Sequence, residues 1–420
     1  MENIGTYVIY LIMACAVVGA IASILDAESE LGKEFNAGLH SIGPIFIPVA
    51  GIMAAIPFIS SFISHYVGPL FTALGADPGI AGAIFIASDL GGYQLAQALA
   101  HDPEGWILGL ITGFQSGSTI IFVIPVGLAM LAKADHKYMA LGIMAGLLSI
   151  PISIVFIAMG MQLLGLGVRP DIATSGAATL QLHFDLPMLL RNLLPQILFC
   201  IALAAALRYV PGLMVRLFLK LGSIMYAAVT LILVASIVEY FTGFFTANFG
   251  SWGFAPIIAD KQDQFRALEI SGYVGIMLCG AFPMVYLIKR FLSRPIERVA
   301  SHLGLSPVGA AGILAASANI LAMFRLVADM PPKDKVLVIA FAVSAAFTFG
   351  DHLAYSANFQ PSLILPLIIG KLGGGLIGML LAYWLAVPKA QQLGSQEFRR
   401  RGPRITLAQV SWVPGPRWRM

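Results

Sequence analysis

Apolar stretches of about twenty residues recur along this chain, each long enough to cross the hydrocarbon core of a bilayer as a helix. Nine run with little interruption, at residues 6–25, 42–64, 106–131, 138–164, 188–207, 215–241, 267–288, 336–350 running on to 355, and 363–387. Only 11% of the 420 residues are charged and 58% are hydrophobic. A water-soluble globule carries roughly 25% charge, so this composition excludes a soluble enzyme, a secreted disulfide scaffold and a disordered hub. The expected fold class is an all-α polytopic membrane protein, with the lipid bilayer as its solvent. Cys15, Cys200 and Cys279 lie far apart in apolar runs and form no metal-ligand spacing, so buried thiols are expected and no metal or cofactor. The segment after Met1-Glu2-Asn3 lacks a basic leader and is read as a span, not a signal peptide.

Two further apolar segments, 78–100 and 307–327, each open at a proline and are interrupted near the middle. The interruptions are Ser88-Asp89-Leu90-Gly91-Gly92 and Ala316-Ser317-Ala318-Asn319. Each reads either as one broken crossing or as a re-entrant hairpin. Loop charge decides between them, because Lys and Arg collect on the cytoplasmic side. With both segments re-entrant and the N-terminus outside, the inside collects Lys33, Lys133, Lys137, Arg208, Arg216, Lys220, Lys289, Arg290, Arg294, Arg298, Arg325, Lys333, Lys335 and Lys389. The outside keeps Arg169, Arg191, Lys261 and Arg266. About nine transmembrane helices plus two hairpins are therefore expected, with a cytoplasmic C-terminus.

An internal repeat organises these elements. Ala55-Ile56-Pro57-Phe58 resembles Ala281-Phe282-Pro283-Met284, and Pro69 recurs as Pro295. Leu74-Gly75-Ala76-Asp77-Pro78 recurs as Leu303-Gly304-Leu305-Ser306-Pro307, and Leu141-Gly142-Ile143 as Ile369-Gly370-Lys371. The separations stay between 226 and 229 residues. The chain divides into a first half (1–164), a connector with one span (165–214), a second half (215–389) and a tail (390–420). One connecting span inverts the second half, an arrangement found in secondary transporters. Six arginines (399, 400, 401, 404, 417 and 419) make the tail basic; without them 19 basic residues face 21 acidic ones. The basic balance thus belongs to a disordered or artefactual tail and implies no nucleic-acid partner.

An ionisable side chain at membrane depth is costly, and is a functional candidate for that reason. Asp89 sits at the first break, either facing a cavity or capping the following half-helix. Asp351 and His352 end the eighth span, as a cation and proton site or as an interfacial pair. Lys371 lies within an apolar span and is expected to pair with one of these aspartates, the alternative being a side chain that snorkels to the interface. Asn319 occupies in the second hairpin the place of Asp89 in the first. Gln115, Ser116, Ser118 and Thr119 form a neutral patch in the third span, suited to a substrate hydroxyl or to hydrogen bonds between helices. Glycines 109, 113 and 117, like 370, 374 and 378, read as close helix packing. Tyr93, Phe114 and Phe349 are candidates for a cation–π wall. No nucleophile-elbow, zinc-protease or phosphate-loop motif is present. The pattern predicts a small, polar, cationic solute.

The runs Ala87-Ser88-Asp89-Leu90-Gly91-Gly92, Phe341-Ala342-Val343-Ser344-Ala345-Ala346-Phe347, Gly350-Asp351-His352-Leu353 and Ile369-Gly370-Lys371-Leu372 resemble the ethanolamine utilization permease family, EutH. The similarity covers about residues 7–389 and includes Ala140-Leu141-Gly142 and Pro283-Met284. Where relatives carry a cysteine before the aspartate this chain has Ser88, so no thiol is expected to be needed there. The resemblance implies a bacterial inner-membrane protein that takes up ethanolamine for a cobalamin-dependent lyase pathway, often housed in a microcompartment. A carboxylate of Asp89 or Asp351 would suit the ammonium and the Gln115 to Thr119 patch the hydroxyl. Ser88, Asn319, His352 and Lys371 complete the expected binding set. Analogy with other inverted-repeat carriers adds alternating access and a homodimer. The rival readings are a transporter or channel for another small polar amine and, less favoured because catalytic motifs are absent, a membrane enzyme acting on amino-alcohols.

Overall fold

The computed structural model describes residues 3–302 and 304–401, and these are helical throughout apart from loops. Asn3–Leu25 forms α1, Glu30–His40 α2 and Ile42–Phe62 α3. The first hairpin has the arms α4 (Gly79–Ala83) and α5 (Gly92–Leu99), joined through a 3-10 turn at Ser88–Leu90. Then come α6 (Pro103–Thr112), α7 (His136–Leu147), α8 (Ile150–Leu164), α9 (Leu186–Tyr209), α10 (Pro211–Thr242) and α11 (Ala267–His302). The second hairpin is α12 (Pro307–Ala318) and α13 (Ile320–Val327). The chain closes with α14 (Pro332–Ala345), α15 (Asp351–Phe359), α16 (Ile364–Leu385) and α17 (Val387–Arg401).

Among the described residues, seven helices are long and apolar enough to cross a membrane, and α7 with α8 forms an eighth candidate bent by 40°. These coincide with eight of the nine expected spans. The ninth, 336–355, is not a continuous helix. It breaks at residues 346–350, where Phe347 takes φ +62°, a left-handed value unusual for a phenylalanine. The unwound amides find partners across the break, with Phe347 N donating to Ala316 O at 3.3 Å and Phe349 N to Ser317 O at 2.8 Å. The tail also differs from expectation. Residues 390–401 continue as helix α17, with Ala390 fully buried, because Ala-Gln-Gln-Leu is good helix-forming sequence that still has apolar surface to pack on. Residues 402–420 lie outside the described residues.

Both interrupted segments fold back on themselves, and one carboxylate fixes each foot. Asp77 accepts Gly79 N at 2.7 Å and His101 N at 2.9 Å, so the entry and exit of the first hairpin lie side by side. Asp334 accepts Ser306 N at 2.8 Å and so ties the start of the second hairpin to the helix that follows it. The two feet stand at opposite ends of the α7–α8 crossing. The first adjoins the far end, through Glu104 with His183 N and Gln162 with Phe184 N. The second adjoins the near end, where Lys335 meets Asp135 at 2.5 Å in a buried ion pair.

Lipid offers helices no hydrophobic gain on meeting, so small residues and interhelical hydrogen bonds decide the packing. The stretch Pro103–Met130 is almost wholly buried, whereas α1 and α10 expose most of their apolar surface. The expected glycine stripes are contact surfaces. A Cβ on Gly374 would lie 2.5 Å from Ser153, and one on Gly117 2.3 Å from the Ile86 carbonyl. Because that carbonyl belongs to backbone, it cannot swing aside. Gly117→Ala is therefore expected to cost about 1–3 kcal/mol as an overpacking change, read as a lowered thermal midpoint in detergent, while Gly272→Ala, inside α11 with open space around it, should not lower the midpoint and gains helix propensity.

Candidate functional site

Two tips and one break converge at the centre of the molecule. They are residues 87–91 of the first hairpin, residues 316–319 of the second, and the 346–350 break between α14 and α15. The convergence is organised by the central helix, which does not stay α-helical. After Thr112 it widens into π turns at Gly113–Gly117 and Thr119–Val123 before resuming at Ile124–Met130. Wide turns of this kind frequently mark functional positions. Here Phe114 O accepts both Ser118 Oγ, at 2.9 Å, and Lys371 Nζ, also at 2.9 Å.

A cavity of 490 Å³ opens beside this point. Asp89, Asp351, His352, Asn319, Phe347 and Phe122 are among the residues that line it, and Ala37, His40 and Ser41 stand at its α2–α3 side. Asp89 does not cap α5, because the N-cap residue is Gly91, at φ +97°. Its Oδ1 has no hydrogen-bond partner and lies 3.9 Å from His352 Nε2. His352 is itself buried between the rings of Phe114, at 4.7 Å, and Phe347, at 5.3 Å, with Nδ1 unpartnered. Asp351 stands in the first turn of α15, where the helix dipole favours a negative charge. Asn319 Oδ1 accepts Leu321 N at 2.9 Å and caps α13.

Lys371 does not form the direct pair expected of it. It is fully buried, its Nζ donates to Phe114 O, and among the described residues it forms no ion pair with a carboxylate. The carbonyl wins because the π turn leaves it exposed to a donor from α16, and Lys371 stays behind the cavity wall.

The neutral polar residues form a seam. Ser88 Oγ donates to Leu110 O at 2.6 Å and Ser116 Oγ to Ile84 O at 2.9 Å, which holds the first hairpin against the central helix. Thr119 Oγ1 lies 2.8 Å from Val343 O on α14. Gln115 Nε2 donates to Ser153 Oγ at 2.6 Å, and that hydroxyl donates to Gly370 O at 2.7 Å. Only Gln115 Oε1 is left without a partner. The seam is the helix-to-helix alternative of the sequence reading, and none of Ser88, Gln115, Ser116 and Thr119 lines the cavity. Of the aromatics, Phe114 flanks His352, Phe347 lines the cavity in place of Phe349, and Tyr93 stacks on Trp106 at 5.0 Å.

Beyond the polar centre, toward the end that carries residues 165–185, the path is closed. Gln94 Nε2 reaches Tyr355 OH at 3.4 Å, and Gln360 Nε2 donates to Tyr93 OH at 2.8 Å. Arg169 stitches the same layer, donating its backbone N–H to Gln360 and its guanidinium to the Asn358 carbonyl. On the far side of this layer a second cavity of 650 Å³ is lined by Gln94, Gln97, Asp171 and Arg266, among others. The barrier, Ser153 and the pair Ser149–Ser344 (3.0 Å apart) escaped sequence reading. The serine spacing 149/153 on one helix face was the available signal. Because its hydroxyl is spent on Ile84 O, Ser116→Ala should lower stability by about 1 kcal/mol. A thermal-shift series would show this, and ligand affinity should be unchanged.

Comparison with known proteins gives the family. The family model described as "Ethanolamine utilisation protein, EutH" matches residues 4–385. A protein of Listeria monocytogenes named "Probable ethanolamine permease EutH" is 34% identical over 91% of this chain and 95% of its own length. Proteins of the same name from Escherichia coli and Salmonella typhimurium are each 32% identical, covering 92% of this chain and 96% of their own. No solved structure matches. A family match that runs through both hairpins, the central helix and α16 identifies the chain as a member of the EutH family of ethanolamine utilisation proteins.

Proposed function

We propose that this chain is a membrane transporter that carries ethanolamine as its ammonium form, binding it between Asp89 and Asp351. The observation that carries the reading is the pair of carboxylates lining one cavity at the meeting of broken helices, one with an oxygen that no protein group satisfies. Such an oxygen is costly to leave dry, and an ammonium supplies the missing donors. The permease names of the relatives support the same substrate class. Ethanolamine is charged near neutral pH much as lysine is, and its single hydroxyl can accept from the Nδ2 of Asn319, whose Oδ1 is already taken. Phe122 and Phe347 supply apolar walls for its two carbons.

The Tyr93–Gln360 layer closes the polar centre toward the end that carries residues 165–185, opposite the end where Lys335 pairs with Asp135 among the basic loops. By the positive-inside rule this is a cytoplasm-facing form, with the N-terminus outside and the C-terminus inside the bacterial inner membrane. Helices opening at Pro78 and Pro103 have counterparts at Pro307 and Pro332, each 229 residues on. With feet at opposite ends, the two hairpins suit an inverted repeat and alternating access. Transport without chemical change, and not catalysis, is the activity proposed. A homodimer remains part of the proposal.

The test is uptake of labelled ethanolamine into proteoliposomes at about pH 6, where the ammonium dominates. Saturable uptake by the wild type is expected, with losses of roughly 100-fold in Asp89→Asn and Asp351→Asn while both retain a folded elution profile. Non-saturating flux would turn the reading to a channel, chemically altered product to an enzyme, and flux equal to empty vesicles would remove ethanolamine as the substrate.

A further inference from the structure

The charges around the cavity do not balance until a cation enters it. Asp89 and Asp351 both line it, and no lysine or arginine does. Among the described residues the one fixed cation nearby is Lys371, held behind the wall by Phe114 O. The other titratable groups facing the carboxylates are His352, wedged between Phe114 and Phe347, His40 from α2 at the mouth, and Tyr355 one turn beyond His352. Two carboxylates with one ammonium behind them leave a net negative charge at membrane depth, where an uncompensated charge costs several kcal/mol. Asp89 has His352 Nε2 at 3.9 Å, whereas Asp351 forms no ion pair among the described residues, which leaves Asp351 as the carboxylate without a basic partner.

We propose that the site exchanges one proton for one ammonium: Asp351 holds a proton when the cavity is empty and releases it when the substrate's ammonium takes its place. This rests on the reading of the cavity as an ammonium site. On binding, the Asp351 O–H bond breaks, its electron pair stays on the carboxylate, and the proton passes to cavity water. Lys371 stays charged in both forms and sets the count. The empty site is then neutral (Asp89 against Lys371), and so is the loaded one (Asp89 and Asp351 against Lys371 and substrate). Asp351 is the exchanging residue, and Lys371 is a positioning charge that never touches the substrate. A carrier built this way moves no net charge per cycle.

The same arithmetic makes an unusual demand on variants. Asp351→Asn leaves Asp89 and Lys371 already balanced, so an incoming ammonium is uncompensated. Removing the lysine as well, in Asp351→Asn/Lys371→Met, restores the deficit, with Asp89 now carrying the exchangeable proton. A residue that served only packing would show no such recovery.

The experiment is calorimetric titration of the purified full chain with ethanolamine at pH 7, repeated in buffers of different ionisation enthalpy, which reports protons released per ligand bound. One proton per ethanolamine is expected for the wild type. Asp351→Asn should bind about 100-fold more weakly. The double variant should regain most of that loss and again release one proton. Thermal midpoints of all three proteins are recorded alongside, so that affinity is compared only among folded samples. Wild-type binding without proton release, or a double variant no tighter than the single one, would overturn the exchange and leave the ethanolamine site standing. Absence of ethanolamine binding by the wild type would remove both. In proteoliposomes the matching result is wild-type uptake that an imposed inside-negative potential does not accelerate, whereas a carrier moving one charge would accumulate substrate about 50-fold at 100 mV.

Discussion

A backbone group that leaves its helix inside a bilayer must find its partner within the protein. This molecule opens its backbone at several places around one point, and the arrangement of the rest follows from how those groups are satisfied. The π turns of the central helix expose Phe114 O, which Lys371 and Ser118 take up. The 346–350 break sends its amides to the second hairpin's tip. The first hairpin's tip is held by Ser88 and Ser116 against the central helix. The 346–350 break and the first hairpin's tip are each closed by a neighbour that is itself open, and Phe114 O by a lysine on the unbroken α16. The carboxylates that line the cavity are carried on the segments so held.

Much of this was legible in the sequence, for identifiable reasons. Apolar run length gave the spans, because lipid imposes a minimum that few other environments impose. Prolines at 78 and 307, followed by polar interruptions, marked the hairpins. The cost of burying charge singled out Asp89, Asp351, His352 and Lys371, and the structure gathers all four around one cavity or its wall. Gly109, Gly113 and Gly117 were read as packing, and the backbone of the first hairpin does lie against them.

What stayed hidden depended on three-dimensional competition. Nothing local distinguishes a serine that will face a ligand from one that will meet a carbonyl of another helix, so Ser88, Ser116 and Thr119 read as site residues and turned out to be stitching. Lys371 was expected beside a carboxylate because a π turn, and hence a free carbonyl within its reach, has no sequence signature. The break at 346–350 was concealed by an uninterrupted apolar run, since its strained residue is a phenylalanine and not a glycine. The closing layer of Tyr93, Tyr355 and Gln360 joins residues more than 250 positions apart, beyond any periodicity.

The second hairpin has a mechanical consequence. Its first arm and α14 run side by side, bonded at one end through Ser306 and Asp334 and at the other through Ser317 and Phe349. The two helices act as the legs of a caliper. Asp351 sits just past the point where the legs meet, so its position is set by their matched lengths more than by the side chains around it. Adding a residue to either leg would turn that end through about 100°, slightly more than a right angle, and carry the carboxylate out of line. Widening the cavity through Phe122 or Phe347 would leave the caliper untouched. Variation in the shape of the cavity is therefore open to point changes in the wall, while insertions in these two helices are closed to it.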